Sequence, residues 1–251
     1  MTKTEVDNSI YDLYGDKWYT AYDDPVALLR AESKVKTPWV IEKIKKHFDN
    51  ISELELLDVG CGGGFLSNEL AENGFKVTGV DLSPESLVVA ARYDKTKSVK
   101  YLTADAYNLP FADSSFDVIT AMDFLEHVED PSSVIKEFSR KLKPNGLFIF
   151  HTFNRNFIAG LVIIKAVELL VKNTPKNLHV LRLFIKPEEL TQYCEQSGLS
   201  VLKMTGIKPV FSSIPIKNVF TGVVPKELKF ELTSSLKLSY MGYAIKSLKP
   251  S

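Results

Sequence analysis

Three things are scarce in this sequence: cysteine, an excess of either charge, and apolar runs long enough to span a membrane. Two cysteines stand in 251 residues. Cys61 and Cys194 lie far apart, so neither a disulfide framework nor a cysteine metal cluster is expected, and a reducing compartment suits the chain. The 31 basic residues are matched by 31 acidic ones, whereas nucleic-acid binders carry a basic surplus, so no nucleic-acid partner is expected. The most apolar stretch, FIAGLVIIKAVELLV from Phe157 to Val171, would span roughly 22 Å at ~1.5 Å per residue, short of the ~30 Å hydrocarbon core. The opening MTKTEVDNSIYDLYGDKW has no apolar centre and no signal-peptide pattern, which points to a cytoplasmic chain. Apolar content of 45% and charged content of 25% are those of an ordinary globular protein.

What is present concentrates in Leu54 to Asp81. An apolar run, Leu54 to Val59, breaks into glycines at 60, 62, 63 and 64. An amphipathic segment follows, with Phe65, Leu66, Leu70 and Ala71 at helical spacing, and a short strand from Val77 to Val80 ends on Asp81. Strand, glycine turn, helix, strand and acidic tip make the first half of a nucleotide-binding α/β unit. Glycine serves where backbone must approach a ligand or take positive φ. Asp81, about 20 residues past the turn, stands where a carboxylate accepts both hydrogen bonds of a ribose diol. A dinucleotide fingerprint fails in either register, because Phe65 or Ser67 stands where its third glycine belongs, and no G-K-[ST] follows for a phosphate-binding loop. The remaining pattern, Asp58-Val59-Gly60-Cys61-Gly62-Gly63-Gly64, resembles motif I of the class I S-adenosylmethionine (SAM) methyltransferases.

The flanking chain alternates helix and strand. Residues 1–30 carry Tyr11, Tyr14 and Trp18 at i, i+3 and i+7, an aromatic face that either packs on the domain or forms a lid over an aromatic substrate. A helix is expected from Lys34 to Phe48. Ser83-Pro84 starts another, and Asp130-Pro131 opens a third that ends near Leu142. Strands are expected at Val99 to Thr103, Phe116 to Ala121, Leu147 to Phe150, Leu199 to Gly206 and Ser239 to Lys246, which with the first two make seven. That spacing predicts a doubly wound, mostly parallel sheet with helices on both faces. Gly60, Asp81, Asp105 and Met122 fall at strand carboxyl ends, where such sheets bind ligands. Asp105, followed by the small Ala106, suits an adenine amino group. No repeat or low-complexity linker divides the chain, so one domain is expected over 1–251, with an N-terminal helical lid (about 1–50) and insertions at about 154–180 and 208–238.

Three stretches carry a closer resemblance, over roughly residues 34–206. LLDVGCGGGFLSNELAENGFKVTGVD is shared by many SAM enzymes. MDFLEHVEDP follows the fourth strand. Thr152, Asn154, Arg155 and Asn156, then the apolar helix, Pro175, His179 and the Phe184-Ile185-Lys186-Pro187 turn, are similar in order and spacing to the ubiquinone-biosynthesis O-methyltransferases. The resemblance implies a Rossmann-like class I methyltransferase fold. It also implies SAM as cofactor, contacted at Gly60, Asp81 and Met122; Asp58, Gly62, Leu82, Asp105 and Ala106 complete the expected cofactor site. The implied reaction is O-methylation of a phenolic or catecholic ring on a polyprenylated quinone precursor, a lipophilic small molecule. The family's Glu-x-x-Glu-His metal pattern falls on Asp123, Glu126 and His127, with aspartate at its first position, and implies a divalent ion such as Mg or Zn. Positions i, i+3 and i+4 share one face if locally helical. The ion would stabilise the phenolate; alternatively His127 is the general base, with Glu126 beside it. The family's cofactor-contacting arginine falls near Lys36, which lacks the planar fork. The apolar helix from Phe157 to Val171 suits either packing on its own domain or lying in a membrane interface; the resemblance implies the second, as peripheral contact on the inner face, and a biosynthetic complex is a further expected partner. Two other readings stay open: a methyltransferase for another lipophilic or secondary metabolite, and a non-catalytic SAM-binding scaffold. His151, at the tip of the fifth strand, is a residue that touches substrate or serves structure.

Overall fold

In the computed structural model, which describes residues 8–176 and 178–247, a 3-10 turn at Asn8–Leu13, the short α1 (Lys17–Thr20) and the long α2 (Val26–His47) precede the glycine turn. Residues 1–7 of the expected lid lie outside the described residues. The alternation then follows the predicted order: β1 (Glu55–Val59), α3 (Phe65–Glu72), β2 (Lys76–Asp81), α4 (Pro84–Tyr93), β3 (Lys100–Thr103), β4 (Phe116–Met122), α5 (Pro131–Lys141) and β5 (Leu142–Phe153). Ser83 accepts a hydrogen bond from the Ser86 backbone N–H ahead of Pro84, and Asp130 does the same for Ser133 ahead of Pro131, so both starts are capped as their sequences require.

Strands β1 to β5 pair in parallel. The apolar content of β1 and β4 is nearly continuous because both faces are covered, whereas edge strand β3 is largely exposed. Adjacent residues Leu56 and Leu57, Val118 and Ile119, and Phe148 and Ile149 point to opposite faces and belong to two separate cores. One core is closed by Val134, Ile135 and Phe138 of α5 and Leu190 of α8 (Pro187–Gln196). The other is closed by Trp39, Val40 and Ile44 of α2 and Leu66 and Leu70 of α3. Beyond β5 come β8 (Ser239–Lys246), antiparallel, then β6 (Leu199–Pro209) and β7 (Phe230–Thr233).

The described sheet thus has eight strands in the order β3-β2-β1-β4-β5-β8-β6-β7, where seven are expected. The extra one, β7, lies inside the segment expected as an insertion at 208–238; it is a short edge strand with two of its four side chains exposed, so it carries no apolar alternation. Helix α2 also begins earlier than expected, at Val26, because Val26, Ala27 and Ala31 are buried ahead of the clearer apolar spacing.

The apolar stretch after Asn156 forms one continuous helical rod: α6 (Phe157–Ala159), a π-helical stretch Gly160–Ala166, and α7 (Val167–Leu170). Ala159 and Ile164 pack against Phe153 and Phe184, whereas Phe157 is 81% and Leu169 83% exposed. A further short helix, α9 (Ile216–Thr221), lies between β6 and β7.

Phe150 is fully buried against Phe148 and Tyr240, and Gly242 leaves the room its ring fills. Phe150→Ala should therefore cost ~3–5 kcal/mol in guanidinium unfolding, with an unchanged m value.

Candidate active site

Strand β1 has β2 on one side and β4 on the other, so successive crossovers leave it in opposite directions and a crevice opens at its carboxyl end. A cavity of about 570 Å³ occupies that position. Asp58, Gly60, Gly62, Asp81, Leu82, Asp105, Ala106 and Met122 all line it, as do Lys36, Asp123 and His127.

The glycine turn is held from both sides. The backbone N–H groups of Gly60 and Cys61 donate to the Val80 carbonyl at 2.8 and 3.1 Å. Gly60 takes φ 68°, and a Cβ there would collide with the Phe124 ring. At Gly62, φ 50°, the Trp18 indole would meet a Cβ at 2.8 Å. Asp81 Oδ2 accepts from the Gly62 N–H at 2.8 Å and Oδ1 from the Ser83 N–H at 2.9 Å. A carboxylate has about four lone-pair sites, so Asp81 is oriented by its own backbone and still has acceptor capacity on each oxygen. Asp105 is oriented in the same way, its Oδ1 accepting from the Tyr107 N–H at 2.9 Å.

Asp58 lies beneath the turn. Ser67 Oγ donates to Oδ2 at 2.6 Å and Thr120 Oγ1 to Oδ1 at 2.7 Å. Burial pushes its carboxyl up to about 6, against the pull of these two hydroxyls.

Among the acid and histidine residues the outcome differs from expectation. Asp123, Glu126 and His127 do not converge as a ligand triad. Asp123 adopts φ 55°, and only Leu125–His127 form a 3-10 turn, so the helical face assumed for i, i+3 and i+4 does not exist. Both Asp123 oxygens accept from Lys36 Nζ at 2.7 Å, and His151 Nδ1 lies 2.7 Å from Oδ1. Lys36 is also ion-paired with Glu32 one turn earlier on α2. Burial works against the charge on Asp123, but Lys36 and then His151 hold its carboxyl far below the usual range. His151 is fully buried in this network, a structural position rather than a cavity-lining one.

Glu126 and His127 instead meet His179, with one ligating atom of each within 4.8 Å of the others. Glu126 is 1% exposed; its Oε2 accepts from Thr152 Oγ1 at 2.7 Å. Burial, and then the Asp123 charge, raise its carboxyl well above the carboxylate range. Burial lowers His127 to about 4 and His179 to about 3, the second helped by His127, so both imidazoles are neutral at neutral pH. Tyr11 Oη stands 3.4 Å from His127 Nε2, and Tyr11 stacks on Trp18 with centroids 5.8 Å apart. The aromatic face near the N-terminus packs on the domain and reaches the cavity. Tyr14 and Trp18 pack with Val26 and Val89, while Tyr11 and Trp18 also line the cavity.

Sequence reasoning missed two pairings: Lys36 with Asp123, and His179 with Glu126 and His127. Lys36 and His179 were each visible as residues, but only a fold joins positions so far apart in the chain.

Asp58 supplies a pH test. Its folded value, about 6, lies above its ordinary 3.8, so its contribution to stability is complete below pH ~4 and is lost as pH rises through 6. At ~1.4 kcal/mol per unit the ceiling is ~3 kcal/mol. Asp58→Asn should melt higher than the native protein at pH 8, with the gain shrinking toward pH 4, as thermal unfolding at the two pH values will show.

Residues 57–150 match the family described as Methyltransferase domain. Among solved structures, a magnesium protoporphyrin IX methyltransferase from Synechocystis PCC 6803 with bound SAH superposes with a TM-score of 0.62 at 19% identity, covering 96% of this chain and 100% of that one. A SAM-dependent methyltransferase from Methanosarcina mazei gives 0.59 at 22% identity, over 82% and 97%. These likenesses establish the fold. In sequence, a ubiquinone biosynthesis O-methyltransferase from Coxiella burnetii is 42% identical over 167 residues, 66% of this chain and 70% of that protein. One from Rickettsia bellii is 31% identical over 209 residues, 82% and 85% of the two chains. With its glycine turn, switch-point cavity and acid–histidine cluster, the chain belongs to the ubiquinone biosynthesis O-methyltransferases, a family of SAM-dependent methyltransferases.

Proposed function

We propose that this protein transfers the methyl group of SAM to a phenolic or catecholic hydroxyl on a polyprenylated precursor of ubiquinone. The observation that carries this reading is a single cavity lined both by the glycine turn with Asp81 and by His127. Cofactor and acceptor would share that space.

In this reading Asp81 accepts from the two ribose hydroxyls with its remaining lone pairs. Asp105 accepts from the adenine amino group, Ala106, Leu82 and Met122 wall the base and the sulfonium, and Gly60 and Gly62 let the backbone approach the methionine end. Asp58 braces the turn. The sulfonium already activates the methyl, so the protein mainly aligns donor and oxygen and excludes water. The acceptor must lose a proton, and phenols titrate near pH 10. His127 lines the cavity as a neutral imidazole and so has a nitrogen lone pair to accept that proton, with the Asp123 carboxylate favouring the imidazolium that forms. Trp18 and Tyr11 offer aromatic faces for a ring.

A prenyl tail needs somewhere apolar to lie. Phe157, Leu161 and Leu169 project from the rod after Asn156, with Lys165 and Lys172 beside them, the composition of a helix lying in a membrane interface. Among the described residues no helix is long and apolar enough to cross a membrane. Contact is therefore proposed as peripheral, on the inner face, which suits an enzyme working on the head group of a lipid. A biosynthetic complex on the same surface would be compatible with it.

Two measurements test this. Asp81→Ala should weaken SAM binding at least ~100-fold by titration calorimetry, since two charge-assisted hydrogen bonds at ~1.5–3 kcal/mol each are lost. Incubation with methyl-labelled SAM and a lipid extract should place the label in a prenylated phenol. SAM binding without label in any lipid fraction would sink the substrate assignment, and label in water-soluble phenols alone would redirect it.

A further inference from the structure

We infer that the Tyr11 hydroxyl passes the acceptor's proton on to His127, which makes Tyr11 a catalytic residue carried by the N-terminal segment. This rests on the methyl-transfer reading and adds a second group to the proton's path.

Both side chains line the one cavity and meet there. Tyr11 Oη stands 3.4 Å from His127 Nε2, and the two rings lie edge to face at 84° with centroids 5.7 Å apart. Catalytic hydrogen bonds are often long in unliganded sites and tighten in the complex. A neutral imidazole has a single acceptor nitrogen. A hydroxyl seated on Nε2 therefore occupies the approach that an entering phenol would need. The same hydroxyl can accept from the phenol's O–H while it donates to Nε2.

Tyr11 is held against swinging aside. Its ring stacks on Trp18 at 18° with centroids 5.8 Å apart, and it meets Tyr14 edge-on. The Ser86 hydroxyl donates to the Tyr11 carbonyl at 3.1 Å and accepts from the Trp18 indole N–H at 3.2 Å, so one side chain ties both residues to α4. Trp18 in turn lies on the glycine turn, where a Cβ at Gly62 or Gly63 would stand 2.8 or 2.7 Å from its indole. Tyr19 donates to the Gly63 carbonyl at 2.8 Å and stacks on Tyr93. The glycine turn and the phenol that faces His127 are thus parts of one packed assembly. Lys36 and Asp123, also in the cavity wall, are committed to each other.

In the resulting step the acceptor oxygen bonds the methyl as the bond from methyl to sulfonium breaks, leaving a thioether. The acceptor's proton goes to Tyr11 Oη and the Tyr11 proton to Nε2. Tyrosine ends neutral, as it began, and His127 ends as the imidazolium.

The test uses the full-length protein, SAM and two acceptors: a prenylated catechol, and the same catechol bearing a nitro group. The nitro compound is already largely ionised at neutral pH and needs no relay, whereas an ordinary phenol titrates near pH 10. Tyr11→Phe removes the hydroxyl and keeps the ring. It should lower kcat on the plain catechol at least ~100-fold. On the nitrocatechol its loss should stay under about 3-fold, with SAM affinity unchanged. Tyr14→Phe removes a hydroxyl from the same segment outside the cavity lining, and both its rates should stay near native even if it melts lower. Equal loss on the two catechols in Tyr11→Phe would reduce Tyr11 to a structural support and overturn the relay. Near-native turnover of the plain catechol by that variant would overturn it too, as would a selective loss of equal size in Tyr14→Phe. If Tyr11→Phe melts lower, the ratio of its two rates decides, because a smaller folded fraction lowers both alike. Transfer by the native protein to neither catechol would sink the methyl-transfer reading itself, and the relay with it.

Discussion

The parting of the chain at β1 is the constraint on which the rest of the molecule depends. Parallel strands with right-handed crossovers can fill both sides of a first strand only by reversing direction there, and the reversal leaves a gap at its carboxyl end. The gap is kept open by mutual support. Val80 receives two backbone N–H groups of the turn, and Asp81, the next residue, receives a third. Turn and acid therefore stand in fixed relation before any ligand arrives. Preorganisation of this sort spares a cofactor the cost of ordering the loop that binds it.

A second dependence runs through buried charge. Lys36 is 4% exposed on a helix that otherwise closes the core. Isolated, its ammonium could not remain charged at that depth. Glu32 and Asp123 keep it charged, and it in turn keeps Asp123 an anion at the cavity wall. That anion then raises Glu126 nearby. Helix α2, which touches the sheet mainly through apolar side chains, thus adds, after burial, to what governs the protonation of a residue with which it shares no ion pair. The coupling is electrostatic: Asp123, held in a left-handed turn, raises Glu126, while the Lys36 charge itself acts the other way.

The legibility of these features in the sequence follows the same physics. Strands covered on both faces announce themselves as continuous apolar runs, so β1, β4 and β8 were readable nearly to the residue. Edge strand β7 has no such obligation, and its residues read as part of an insertion. The residues that line the switch-point cavity are legible because each sits beside a strand end, a local feature. The acid–histidine cluster was legible only in part. Its spacing suggests a helix, and local backbone decides otherwise: Asp123 at φ 55° turns one carboxylate toward α2, while the short 3-10 turn presents Glu126 and His127 to a loop more than fifty residues onward. Sequence spacing cannot report a left-handed residue that is not glycine, since aspartate tolerates both signs of φ.

The apolar rod after Asn156 completes the contrast between what the fold buries and what it leaves out. Its inward side chains, Ala159 and Ile164, suffice to attach it. At its far end the Lys172 N–H donates to the Gly222 carbonyl at 2.9 Å, which ties it to α9, where Ile216 is 77% and Phe220 84% exposed. Two separate segments therefore meet with large apolar side chains uncovered, although burying a phenylalanine is worth ~1.5–3 kcal/mol to a fold. Exposed apolar groups gathered in one region mark contact surfaces more often than chance. On the peripheral contact proposed above, forgoing that stability would be the expected compromise: the surface that weakens the isolated fold would be the one offered to the apolar phase where a prenylated acceptor resides.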